Sequence, residues 1–405
     1  MESEFLKFKT GLEKQSQAEV KHTDVIVVGG GPAGAAAAYD LAMAGCEVLI
    51  VDKADFPRFK ACAGGLTIKA LARLRYSVAP VVNATSDIME TSLNLHRKTI
   101  FHAPGTICAL TVRTELDDFC LQKTLAAGAT FQKISPIRSI ERDTNKLVLT
   151  TGDETFSCNY LIGADGAHSV VRKLATDFKP GRMAIALEGT VPSKRISKHV
   201  DVNFTFDFGV VKQGYGWLFP KGDHVNVGIY IRRPEEVKIS KQQLFDYVSR
   251  RLGVSEIDHV AGFPIGIGGE KWQANDNRIL LVGDAAGYAE ALLGEGLHNA
   301  IKSGQIAAQS ILAKNANSSE DLLGLYSPLI AQIQEDLANS RMLSEAFYKF
   351  LPIGFGLLKH AVKGPFLKGY ANGQTLTEYA RARLSFQPEP HFERPLTLKG
   401  LDRQF

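Results

Sequence analysis

Three separated glycine–aspartate elements carry the residue types and spacing in this chain that suggest chemistry. The first is Gly29-x-Gly31-x-x-Gly34, with Pro32 and Ala33 inside it. Its first glycine permits a sharp turn, its second lets backbone N–H groups approach a pyrophosphate, and its third seats a helix against a strand. That helix's N-terminus adds partial positive charge for phosphate. Asp52 follows Gly34 by eighteen residues, with Lys53 beside it; this is the distance at which a carboxylate meets ribose hydroxyls. The second element is Gly163-Ala164-Asp165-Gly166-Ala167-His168-Ser169, with Arg172 behind it, and the third is Gly283-Asp284-Ala285-Ala286-Gly287. Taken singly, Asp165-Gly166 and Gly283-Asp284 also suit simple turns and helix caps. Taken in order behind the first element, they suit FAD, with Asp284 able to take ribityl hydroxyls.

A thiol is the other reactive candidate. Cys62 sits in Phe56-Pro57-Arg58-Phe59-Lys60-Ala61-Cys62-Ala63-Gly64-Gly65-Leu66, where the cations favour a thiolate. A small buried hydrophobe would suit the same place. Arg58 is the cation taken as a cofactor neighbour. Cys46, Cys108, Cys120 and Cys158 read as structural, and without a C-x-x-C there is no metal site or disulfide framework to expect. His298 suits either a proton donor or a helix cap, Glu295 a helix N-terminal charge, and His168 a loop filler.

Particular elements must position these groups. Val25 to Val28 is a β-branched run too short for a helix and bounded by glycine, so it reads as a buried strand. Ala35 to Ala38 continue a slim helix after the glycine turn, and Val48 to Val51 make the next strand. Tyr160 to Gly163 and Ile279 to Val282 read as further buried strands. A helix is expected from about Thr67, another from Val112 to Gly128, another over Lys241–Leu252, and a long one after Gly287 through Lys314. The fold class is α/β (α+β overall). A Rossmann-like FAD-binding domain spans 23–75, 105–175 and 275–330, interrupted by a mostly antiparallel substrate domain over 76–104 and 176–274. A polar extension (1–22) and a C-terminal helical region and tail (331–405) flank them.

With 405 residues, 45% hydrophobic and 22% charged, the composition is that of a globular protein. A formal net charge of +4 gives no warrant for nucleic-acid binding. The charged N-terminus lacks an apolar secretory core, and no apolar run is long enough to span a bilayer. A cytoplasmic protein is expected, at most peripheral on the inner face of the membrane.

The three boxes, in this order, resemble those of the hydroxybenzoate-hydroxylase-like flavoproteins. Within that superfamily the chain resembles the geranylgeranyl reductase family more closely. Its F-P-R-x-K-x-C-G-G-G-L loop is matched around Cys62, with Ala63 replacing a glycine. Its Y-x-W-x-F-P…G-x-G motif is matched by Tyr215-Gly216-Trp217-Leu218-Phe219-Pro220 and Gly228, with Tyr230 where the second glycine would stand. Its G-E-G-I turn is matched by Gly294-Glu295-Gly296-Leu297. The resemblance implies FAD held by the glycine turn, Asp52, Lys53, Arg58, Cys62, Ala63, Gly64, Arg113 (with Asp117 in support), Asp165, Gly166, Gly283, Asp284, Gly294, Gly296 and Leu297. It also implies a catalytic neighbourhood at Cys62, Tyr215 and Trp217, and reduction of double bonds in a prenyl lipid or quinone chain. Tyr215 and Trp217 suit an apolar wall for such a chain and equally a sheet core. NAD(P)H or a small carrier would supply electrons, and the lack of a second G-x-G-x-x-G to mark a nicotinamide domain fits a donor that binds only transiently. Other readings on this scaffold are an aromatic monooxygenase or halogenase, and a non-catalytic flavin- or lipid-binding protein. The stretch 345–370, aromatics interleaved with lysines, suits an interfacial helix on anionic lipid or a cap over a substrate tunnel. A monomer is expected.

Overall fold

The run Val25 to Val28 is buried on both faces, which places it inside a parallel sheet with helices on either side. The computed structural model describes residues 21–178, 182–316, 319–362, 375 and 378. In it, strand Lys21–Val28 pairs in parallel with Val48–Asp52 on one side and Thr155–Gly163 on the other. Thr130–Lys133 extends the sheet beyond Val48–Asp52, while Leu147–Thr150 and Ser139–Arg142 add an antiparallel hairpin to Thr155–Gly163. Far along the chain, Ile279–Leu281 returns to pair with Leu161–Gly163. All three glycine–aspartate elements therefore leave neighbouring strands at the same edge. Backbone bonds fix that neighbourhood: Gly29 N–H to Val51 O (2.7 Å), Ala164 N–H to Val28 O (2.8 Å) and Val282 N–H to Gly163 O (3.0 Å).

Helix Pro32–Met43 starts at Gly31 with proline in its first turn and no side-chain cap, leaving its leading N–H groups open. It lies so close to the strand that a Cβ on Gly34 would come within 1.9 Å of Gly29 O. The helix behind it, Leu297–Asn315, packs along the alanine face of Pro32–Met43. The expected continuous helix after Gly287 is instead a short 3-10 turn, Gly283–Ala286, a loop, and then Leu297–Asn315. Gly287 (φ 74°) and Gly294 (φ 72°) take left-handed backbone there, which ends a helix. The helix expected from Thr67 is only Ile68–Leu71.

The second sheet runs Asp258–Ile267, Arg182–Pro192, His224–Ile231, Gly214–Pro220, Phe204–Phe208, Ile88–Leu93, His96–His102, and is antiparallel except between Phe204–Phe208 and Ile88–Leu93. Alternation along Gly214–Pro220 sorts its side chains. Leu218 and Gly216 face helix Lys241–Leu252, the latter against the Tyr247 ring. Tyr215, Trp217 and Phe219 join Phe204, Phe206, Phe208 and Tyr230 on the opposite face. Helices Leu322–Lys349 and Leu351–Val362 cover that face through Phe347, Tyr348 and Phe355. A small third sheet, Gly65–Thr67, Cys108–Thr111 and Val82–Ser86, anchors the cysteine loop. Val82–Ser86 thus pairs here, whereas Ile88–Leu93 and His96–His102 join the second sheet. No helix among the described residues is long and apolar enough to cross a membrane.

Candidate functional site at the sheet edge

At the glycine turn, Asp52 Oδ2 accepts the Gly30 N–H (2.9 Å) and Oδ1 accepts the Ala54 N–H (3.0 Å). The carboxylate is thereby fixed with lone pairs to spare. Lys53 points to solvent. Arg58 lies over the Phe56 ring (4.8 Å), with Nη2 3.4 Å from where a Cβ on Gly31 would stand. Arg58 Nη2 also reaches Asp117 (3.2 Å), which Arg113 grips with Nε (2.7 Å) and Nη2 (2.8 Å). Burial alone would lower the Arg113 pKa, but Asp117 holds it above the ordinary value. Two guanidiniums on one carboxylate leave net positive charge beside the turn.

Asp165 is spent within its own turn. Its oxygens accept from Ser169 Oγ (2.5 Å), Val170 N–H (2.6 Å) and Val171 N–H (3.2 Å), at the start of helix Val170–Ala175. Asp165 thus supports the first turn of a helix whose N-cap is Ser169, and Gly166 beside it takes left-handed backbone (φ 80°). Arg172, buried, donates to Ala167 O (2.6 Å) and Ala285 O (2.6 Å), tying the second element to the third.

Asp284 is the opposite case. Its carboxylate accepts no hydrogen bond among the described residues, and burial raises its pKa against Lys60, Arg113 and Arg172. Gly296 stands close by; a Cβ there would lie 3.3 Å from Asp284 Oδ1. A partly exposed carboxylate that no described donor meets suits a hydroxyl-bearing ligand. Together with the open helix N-terminus and the Gly29–Gly34 cradle, this fits FAD.

Gly294, Gly296 and Leu297 lie on the loop leading into helix Leu297–Asn315, and that loop is held from three sides. Tyr230 donates to Ala291 O (3.0 Å), Tyr348 to Leu292 O (2.9 Å) and Tyr215 to Leu293 O. Glu295 pairs with Lys69 (2.5 Å) and accepts the His298 N–H (3.1 Å). His298 is buried with Nδ1 on Lys69 O (3.0 Å); burial and Lys69 push its pKa down to about 3. It is a neutral structural imidazole, but it does not cap the helix, whose N-cap is Gly296 without a side-chain bond.

Cys62 is half-buried. Its N–H goes to Glu188 Oε1 (2.8 Å), and its Sγ accepts the Gly64 N–H (3.4 Å) and also meets Arg113. Ala63 packs against the aromatic cluster. Trp217, 4% exposed, donates to Asn226 Oδ1 (2.7 Å); Asn226 in turn donates to Glu188 Oε2 (3.3 Å). A polar chain thus runs from the aromatic strand to the cysteine loop, and burial raises the Glu188 pKa. Tyr215 and Trp217 are 5% and 4% exposed, Tyr215 packed on Tyr230 at 5.2 Å. Glu188, Asn226 and Lys221 escaped the sequence reading. An acid inside the apolar run Met183–Val191 was the one available signal.

Residues 22–205 match the FAD binding domain model. The chain is 36% identical over 344 residues to an uncharacterised protein of Methanosarcina barkeri (84% of this chain, 87% of that one). It is 31% identical over 327 residues to a menaquinone reductase of Mycolicibacterium smegmatis (71% and 75%). The chain belongs to the geranylgeranyl reductase family of FAD-dependent oxidoreductases. Another relative of this geranylgeranyl reductase-type chain, 28% identical over 328 residues, is digeranylgeranylglycerophospholipid reductase 2 of Methanosphaera stadtmanae (75% and 82%). The fold is shared with a geranylgeranyl bacteriochlorophyll reductase-like protein of Thermoplasma acidophilum, with TM-score 0.70, 20% identity, and 91% and 100% of the two chains covered.

Proposed function

We propose that the protein saturates carbon–carbon double bonds in the prenyl chain of a lipid or quinone, with electrons from NAD(P)H or a small carrier. FAD, when bound and reduced, supplies a hydride. In this reading Asp52 takes the adenosine ribose, and the turn Gly29–Gly34 with Arg58 faces the pyrophosphate. Asp284 takes the ribityl hydroxyls, and the loop Gly294–Leu297 lies against the ring. Arg113 and Cys62, in contact with each other, would face the flavin, and Cys62 Sγ would hold the proton for the second carbon. Tyr215 and Trp217 exclude water from that carbon.

The observation that carries the reading is the apolar aromatic face of the second sheet, joined by the Tyr215 hydroxyl to Leu293, one residue before Gly294. Menaquinone and digeranylgeranyl lipid, the substrates in the relatives' names, both carry prenyl chains. We extend it to a peripheral membrane contact at the start of 345–370, where Phe350, Ile353 and Leu357 are 54%, 66% and 67% exposed. Residues 363–370 of that stretch lie outside the described residues. The test is anaerobic incubation of reduced holoenzyme with a geranylgeranyl lipid and with menaquinone, followed by mass spectrometry. Products heavier by two hydrogens support the reading. Hydroxylated or halogenated product on admitting oxygen, with no saturated product, replaces it with the monooxygenase or halogenase alternative.

A further inference from the structure

Lys221 follows strand Gly214–Pro220, is 4% exposed, and its Nζ has neither a hydrogen-bond acceptor nor an ion-pair partner among the described residues. A Cβ on Gly64 would lie 3.0 Å from that Nζ, and Gly64 is the residue whose N–H reaches Cys62 Sγ. The ammonium therefore stands over the turn that holds the thiol. The groups facing Lys221 are Cys62 and Glu188, then Cys108 and Glu115. Those facing Cys62 include Arg113, Lys60, Glu188 and Lys221. Arg113 is clamped by Asp117 and does not release a proton. Lys60 lies over the Phe263 ring (4.6 Å) and faces Asp284. Of the two lysines facing Cys62, Lys221 is the one that lies over the Gly64 turn, with no acceptor among the described residues and no aromatic ring beneath it, as Lys60 has. Burial lowers its pKa, which eases that release.

We propose that Lys221 is the positioning residue that resupplies Cys62 with its proton, acting through the sulfur and not on the substrate. As the S–H bond breaks and the proton joins the substrate carbon, a water between the two groups gives a proton to sulfur and takes one from the Lys221 ammonium, and bulk water reprotonates the amine. The electron pair arrives with the hydride from reduced FAD, so neither side chain is oxidised. Glu188, fixed on the Cys62 N–H, opposes the ammonium and sets the balance. The inference rests on the prenyl-reductase reading, which requires a carbon that takes a proton.

The test uses holoenzyme carrying Cys46→Ser, which removes the other half-buried cysteine. Iodoacetamide labelling of Cys62 at neutral pH, followed by peptide mass spectrometry, needs no substrate. Lys221→Met is expected to slow labelling about fivefold or more, because a nearby positive charge favours the thiolate. Glu188→Gln is expected to speed it. Lys221→Arg is expected to restore labelling but not prenyl reduction, since it keeps the charge and withholds the proton. FAD absorbance of each variant reports intact folding. Parent-rate labelling in Lys221→Met, or parent-rate reduction in Lys221→Arg, would overturn the proposal. A parent enzyme that saturates no prenyl chain overturns the function above, while the labelling series still decides whether Lys221 acts on Cys62.

Discussion

Asp284 is only partly exposed and receives no hydrogen bond from the described residues, and the fields of Lys60, Arg113 and Arg172 favour its charge against burial. Such a group is costly to the apoprotein and useful only with a ligand in place. Replacing it with alanine should weaken FAD binding about tenfold or more, roughly 1.4 kcal/mol. The apoprotein should melt no lower than the parent. Unchanged affinity in a fluorescence titration would remove Asp284 from the site. His298 gives a pH signature of opposite use. Its folded pKa, about 3, lies below the ordinary 6.5, so the unfolded chain binds a proton that the folded one refuses. Stability is full above pH 6.5 and falls as pH drops below it. Between pH 6.5 and 5 the loss is on the order of 1–2 kcal/mol. Thermal melts of His298→Gln should show a flatter acid slope than the parent; equal slopes would contradict the assignment.

Among elements, the contact between Lys21–Val28 and Pro32–Met43 leaves no room for a side chain. Gly34→Ala would drive a Cβ into Gly29 O, at a cost of about 3 kcal/mol or more. The helix must lift, so FAD retention on gel filtration should be lost before the rest of the fold melts. A variant that keeps its flavin would show that the turn yields. This unit was legible in the sequence because its signals are local: a β-branched run, a glycine turn, an alanine helix, an acid. Helix Lys241–Leu252 was legible for the same reason, its Ser240–Gln243 capping box and Gly253 terminus marking both ends. The helix expected from just after Gly287 starts only at Leu297, because its alanine content hides the left-handed backbone at Gly287 and Gly294. Glu188, Asn226 and Lys221 were invisible because their meaning depends on contacts across long sequence separations, Glu188 to Cys62 above all. No local pattern records such a contact.

Over the whole molecule, the aromatic face, the cofactor edge and the C-terminal helices meet at the loop Ala291–Leu293. The exposed Ile353 and Leu357 lie on the helix that covers that face. Replacing both with serine should cut co-sedimentation with anionic liposomes several-fold while leaving stability within about 1 kcal/mol of the parent's. Equal co-sedimentation would mean that this helix only roofs the interior. The pairing of Ile279–Leu281 with Leu161–Gly163 has a further outcome. The final strand of the nucleotide-binding layer arrives about 120 residues after its partner. A ribosome must therefore deliver the entire second sheet before the pocket exists. Chains released short of Gly287 should emerge yellow-less, so cofactor loading belongs to the last stage of synthesis and cannot guide the first.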